Sequence, residues 1–128
     1  MATKDEIIAL VDRYMEVFSE GDKGGYLALF ADDGTVEDPV GTEVHRGREA
    51  IAAFWDGVRG LSPVIELVPT GTPRVAGHEV AFPMQAISMI GDDRVVVDII
   101  DVFDVAPDGR IASMRAFWDM ADMRPYDG

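Results

Sequence analysis

The sequence predicts an α+β domain: a few helices followed by a curved antiparallel sheet. Three observations carry this. Up to Val58 the apolar residues recur at helical spacing. From Val64 onward they alternate, as strand residues do. Short Gly/Asp/Pro turns separate the later strands, so consecutive ones pair antiparallel, and helices first with strands after is the α+β order.

The elements follow in chain order. Thr3 and Glu6 have the spacing of a capping box, and Ile7, Val11, Tyr14 and Phe18 then mark one helical face. Gly21 stops this helix, and Asp22 caps a short second one carrying Tyr26, Leu27, Leu29 and Phe30. Ala31-Asp32-Asp33-Gly34 reads as a turn, and Thr35 to Asp38 as a short extended piece ended by Pro39. A third helix is expected over Arg48 to Val58, with Ile51, Phe54, Trp55 and Val58 inward. Strands are expected at Val64 to Val68, Pro73 to Ala76, Glu79 to Ile90, Arg94 to Val105 and Arg110 to Met120. Pro83 lacks an N–H, so it implies an edge or a bulge in the third of these. In the last strand Ala112, Met114, Ala116, Trp118 and Met120 share a face by alternation. Ala121 to Gly128 reads as a tail.

With 128 residues the chain is expected to form one domain, residues 1–128, burying roughly two thirds of its unfolded surface. No cysteine is present, which excludes disulfides and thiolate metal sites. Neither a signal-peptide pattern nor a membrane-length apolar run occurs, so the expected location is cytoplasmic, with no membrane partner. The net charge of −13 argues against a nucleic-acid partner and against a strongly anionic substrate. His45 and His78 are isolated, and no residues have metal-site spacing, so no metal is expected. No phosphate loop, nucleophile elbow or dinucleotide fingerprint appears.

Asp101 is the anomaly. In the strand Val95 to Val105 it shares a face with Val97, Ile99, Phe103 and Val105, while Asp98 and Asp104 fall on the other with Val96, Ile100 and Val102. A lone carboxyl on an apolar face must be paired, turned to water, or kept protonated. A protonated carboxyl can donate a hydrogen bond, whereas pairing with Arg94 or Arg115 would make Asp101 structural. Tyr14 lies on the buried stripe of the first helix, either as an ordinary core tyrosine or as a phenolic donor. Asp38, between Val36 and Val40 on one face, is either a turn residue before proline or a carboxylate base at a pocket edge. If the registers of the last three strands align, Phe82, Met84, Ala86, Asp101, Met114 and Trp118 meet on one inner surface.

The chain resembles bacterial ketosteroid isomerases, of the nuclear-transport-factor-2-like, SnoaL-like superfamily. The resemblance is carried by Arg13-Tyr14, by the run from Phe30 through Asp32-Asp33-Gly34 and Glu37-Asp38-Pro39-Val40 to Gly41, by Gly47 to Phe54, by Asp98 to Val102, and by Gly109-Arg110-Ile111 with Ser113 to Trp118. It implies a cystatin-like cone, with a curved antiparallel sheet over three helices and an apolar pocket between them. It further implies that Asp38 is a general base, that Tyr14 and a protonated Asp101 are oxyanion donors, and that Phe54, Phe82, Met84, Ala86, Met114 and Trp118 line a steroid pocket. The protonated aspartic acid is an established property of that family, and its assignment to Asp101 is what the resemblance implies. A homodimer, a small apolar steroid substrate and no cofactor are implied as well. One departure is visible: where relatives place tyrosines behind the first, this chain has Phe30 and Trp55.

Fold alone does not fix function, and two other readings stay open. One is a different enzyme on the same fold, such as a polyketide cyclase or an epoxide hydrolase with an Asp-Arg-Asp arrangement. The other is a non-catalytic module for an apolar ligand.

Overall fold

The computed structural model describes residues 1–127; Gly128, the end of the expected tail, lies outside the described residues. Helix α1, Lys4–Glu20, begins with the capping box: Thr3 Oγ1 accepts from the Glu6 N–H (3.1 Å) and Glu6 Oε1 from the Thr3 N–H (2.9 Å). Gly21 ends it at φ +73°, a left-handed conformation that glycine adopts without penalty. Helix α2 is Lys23–Ala28, capped by Asp22, and α3 is Arg48–Leu61.

The strands are β1 (Phe30–Glu37), β2 (His45–Arg46), β3 (Ile65–Pro69), β4 (Arg74–Ala76), β5 (Glu79–Ile90), β6 (Asp93–Val105), β7 (Ile111–Phe117) and β8 (Arg124–Pro125). They form one sheet in the order β2-β1-β7-β6-β5-β3, with β4 also on β5 and β8 on β6. The core lies between this sheet and the helices, where Ile7, Val11, Tyr14, Tyr26, Ile51, Phe82, Phe103 and Met114 are buried.

Several expectations are corrected. The sheet is mixed: β1 runs parallel to β7, because the chain crosses the whole sheet between them. Residues 31–34 are strand, not turn, but a bulged one: Phe30 pairs with Ile111 and Thr35 with Ser113, leaving three more residues on β1 than on β7. A Cβ on Gly34 would stand 3.0 Å from the carbonyl oxygens of Ala31 and Ile111, so the bulge needs glycine there. Arg48 holds the bulge to the helices, donating to the carbonyls of Leu27 (3.1 Å) and Phe30 (2.8 Å) and to Asp32 Oδ1 (3.2 Å). Phe30 consequently starts β1 instead of ending α2. The tail folds back, pairing Arg124 with Val96 and Pro125 with Val95.

Pro83 sits inside the sheet, paired with Ile100, but on its other side β3 ends opposite Met84 and β4 begins opposite Ala81. Its missing N–H faces that gap, where its carbonyl accepts from Thr70 (3.2 Å). The β6–β7 register slips at Ala112, so Ile111, Met114 and Ala116 are buried and Ala112 leaves the face that alternation assigned it.

Candidate functional site

Three elements converge on one cavity of about 230 Å³. Its inner end is made by Tyr14 from α1, Asp38 from the segment after β1, and Asp101 from β6. Register explains the placement of Asp101: it pairs with Phe82 on β5 and Ala116 on β7, so its side chain shares their inward face. Asp38 is held by a continuation of the β1–β7 ladder, in which Glu37 pairs with Arg115 and the Val40 N–H reaches the Ala116 carbonyl (2.8 Å). The Asp38–Pro39 peptide is cis.

Asp101 is 1% exposed, and neither carboxyl oxygen has a protein hydrogen-bond partner among the described residues. Burial, and after it the charge of Asp38, push its proton affinity well above the ordinary aspartate range. Tyr14 is close enough to pull the other way, although the two have not closed a hydrogen bond. Burial first, then Asp101, Tyr26 and Asp38, hold the Tyr14 phenol protonated. Asp38 is half-buried. Burial raises its proton affinity, offset in part by the Trp118 indole N–H, which donates to Asp38 Oδ1 (2.6 Å), and by His45. Two carboxyls therefore share one cavity with different environments: one bonded to a donor and near His45, the other buried with no protein partner among the described residues. That difference favours Asp38 as the ionised member and Asp101 as the neutral one.

The cavity wall is apolar. Phe54, Met84, Ala86 and Trp118 line it, together with Phe18, Val58, Ile65, Leu67, Val97 and Ile99. Phe82 and Met114, which the resemblance assigns to the pocket, lie behind it instead. Phe82 packs edge-on against Phe103 (5.0 Å) and Tyr14 (6.2 Å), and Met114 is buried in register with Phe103. Phe82 supports Tyr14 and Met114 pairs with Phe103, neither of them facing the cavity. Sequence reasoning missed the Trp118–Asp38 bond, which joins residues with no local relation. Met120 and Met123, which the sequence reads as core or pocket wall and not as a cofactor site, do line the cavity from the stretch at the end of the chain. Behind Tyr14, Phe30 and Trp55 contact Tyr26 at 5.0 and 4.7 Å between ring centres, and the buried Tyr26 hydroxyl has no protein partner among the described residues.

The arginines nearest Asp101 in sequence go elsewhere. Arg115 Nε donates to Glu37 Oε1 (3.2 Å), and Arg94 lies over the Tyr126 ring (4.7 Å). Arg59 is engaged by the Phe18 and Pro63 carbonyls and stacks on Phe18 and Trp55. No Lys or Arg lines the cavity among the described residues, nor does any cluster of His, Asp and Glu there have a metal-holding arrangement. Chemically, the site presents two carboxyl groups and a phenol to a ligand held among apolar side chains.

The model of the SnoaL-like domain matches residues 11–114. A steroid Δ-isomerase of Nocardioides simplex is 42% identical over 118 residues, 92% of this chain and 94% of that protein. The epoxide hydrolase LasB of Streptomyces lasalocidi is 31% identical over 116 residues, 85% of this chain and 40% of that protein. Among solved structures, the epoxide hydrolase/cyclase-like enzyme SalBIII, described for pyran ring formation in salinomycin, superposes with a TM-score of 0.89 at 29% identity, covering 98% of this chain and 100% of that one. A Mycobacterium tuberculosis protein superposes at 0.85 with 24% identity, covering 97% and 98%, and at that identity speaks to the fold alone.

Proposed function

We propose that this chain, which belongs to the SnoaL-like domain family, is a steroid Δ-isomerase that moves the double bond of a β,γ-unsaturated 3-ketosteroid into conjugation. The observation that carries the reading is Asp101: a buried, unpartnered carboxyl beside Tyr14, facing the same cavity as Asp38. A neutral carboxylic acid and a phenol converge where a ketone oxygen would gain negative charge. Asp38 removes the proton on the carbon between the carbonyl and the double bond. The electron pair of that C–H bond enters the π system, and the charge reaches the oxygen, where Tyr14 and Asp101 donate hydrogen bonds. Asp38 then returns the proton two carbons further on, and the enone forms. One positioned base supplies roughly 10²–10⁴-fold, and one oxyanion donor is worth roughly 10²–10³-fold.

An epoxide-opening reading with an arginine between two acids finds less support, since Asp101 has Tyr14 and Asp38 around it and Arg94 and Arg115 are engaged elsewhere. The reading includes a homodimer in the cytoplasm. For the dimer, the support is the pair Ile100 and Phe117, in register on the outer sheet face and 51% and 43% exposed. The test of function is to incubate the protein with a β,γ-unsaturated 3-ketosteroid and follow enone absorbance. Turnover above the buffer rate is expected; none, with steroid demonstrably bound, overturns the reading.

A further inference from the structure

The cavity is graded from end to end. Its inner end holds Asp101 and Tyr14, almost fully buried. Its outer end holds Leu61, Ile90 and Met120, which line the same cavity yet are 80%, 46% and 65% exposed. Val64 adds to this rim, since its carbonyl accepts from the Met89 N–H (3.1 Å) beside Ile90 and its own side chain is exposed. Large apolar side chains thus stand in water where the ligand cavity opens. They come from three separate parts of the chain: the end of α3, the end of β5, and the turn at Met120–Asp122.

We infer that this rim is a continuation of the ligand site, fitted to a neutral aliphatic tail on the end of the substrate farthest from its ketone. The inference rests on the isomerase reading, which anchors the ketone at the inner end. A fused-ring body then spans the apolar wall, and any substituent at its far end emerges between Leu61, Ile90 and Met120. The tail is neutral because no Lys or Arg lines the cavity among the described residues, and next to the rim in the chain stand the exposed acids Asp92, Asp93, Asp119 and Asp122, while Arg94 lies over the Tyr126 ring and Arg124 is paired with Asp98. An anionic tail would meet like charge there. The gain follows from apolar surface leaving water, about fourfold in affinity for each methylene fully covered, hence roughly fifteenfold for two.

The test compares binding of conjugated 3-ketosteroids that share a ring system: one without a tail, one with a branched aliphatic tail, and one with that tail ending in a carboxylate. Tryptophan fluorescence reports binding, with Trp118 in the cavity wall. The wild-type protein is expected to bind the aliphatic-tailed ligand at least tenfold more tightly than the tailless one, and to lose most of that gain with the carboxylate. In L61S/M120S the ratio between tailed and tailless ligands is expected to fall towards one. Equal affinity of wild type for tailed and tailless ligands overturns the inference without any variant. So does a variant that weakens both ligands equally, or one that leaves the ratio intact while changing the sedimentation of the protein, which would assign the rim to a second copy. Isomerisation of the tailless β,γ-unsaturated steroid is measured in parallel, because its absence would sink the isomerase reading instead.

Discussion

Replacing Asp101 with asparagine should stabilise the protein in a way that depends on pH. The side chain is 1% exposed, with no partner for either oxygen. Burial and the nearby Asp38 raise its proton affinity well above the ordinary aspartate range. As pH rises past about 4, the unfolded chain gives up this proton while the native protein keeps it. The native state then binds one proton more, so stability falls with rising pH at about 1.4 kcal/mol per unit, until the native carboxyl also ionises. Asparagine has nearly the same shape and cannot titrate. The stability of Asp101→Asn relative to wild type should therefore grow by about 1.4 kcal/mol per pH unit from about pH 4, then level off. Most other carboxylates cancel in the comparison. With a urea dependence of about 1–3 kcal/mol per molar, the difference in unfolding midpoints should widen by roughly 1 M for each pH unit. Urea titrations of both proteins at a series of pH values read this directly. A constant difference would refute a carboxyl kept protonated by burial. A difference that moves the other way would mean that Asp101 is ionised and paired in the native protein.

Other outcomes follow from the same geometry. Tyr14→Phe removes one oxyanion donor and should lower kcat by roughly 10²–10³-fold with little change in KM, measured by steady-state enone formation. Trp118→Phe removes the N–H that favours the Asp38 carboxylate (2.6 Å), so the acid limb of the kcat/KM profile should move to higher pH; an unmoved limb would remove Trp118 from the base's environment. Tyr26→Phe deletes a buried hydroxyl that has no partner and should raise stability by about 1 kcal/mol, read as an upward shift of Tm; a loss of stability would show that the hydroxyl is satisfied.

Local chemistry made much of the fold legible. The capping box at Thr3 and Glu6, the stripe from Ile7 to Phe18, the long strands of β5 and β6, and the inward face of Asp101 all follow from spacing alone. What escaped depends on contacts between distant segments. The acids and glycine of 31–34 look like a turn, and only pairing with β7, with Arg48 reaching from α3, makes them a bulged strand. One extra residue at Ala112 shifted the face of its neighbours, which no alternation count reveals. Phe82 and Met114 lie on the right face, but that face is deeper than the cavity, so they became support for Tyr14 and Phe103. Met120 and Met123 were legible as core or pocket wall, but the short strand β8 that β6 recruits just beyond them was read as tail. For the site, Asp38, Tyr14 and Asp101 were each ambiguous in isolation; the resemblance linked them, and the three line one cavity.

In the proposed reaction one carboxylate, Asp38, carries a proton across the face of the ligand inside an apolar cavity. The most direct measurement uses a β,γ-unsaturated 3-ketosteroid deuterated on the carbon between the carbonyl and the double bond, turned over in ordinary water by wild type and by Asp38→Asn. Wild type is expected to deliver deuterium to the carbon two positions further on, well above the buffer-catalysed reaction. Asp38→Asn is expected to bind the steroid but lose roughly 10²–10⁴-fold in turnover. Product labelled no more than in buffer, or an Asp38→Asn variant as active as wild type, would contradict it.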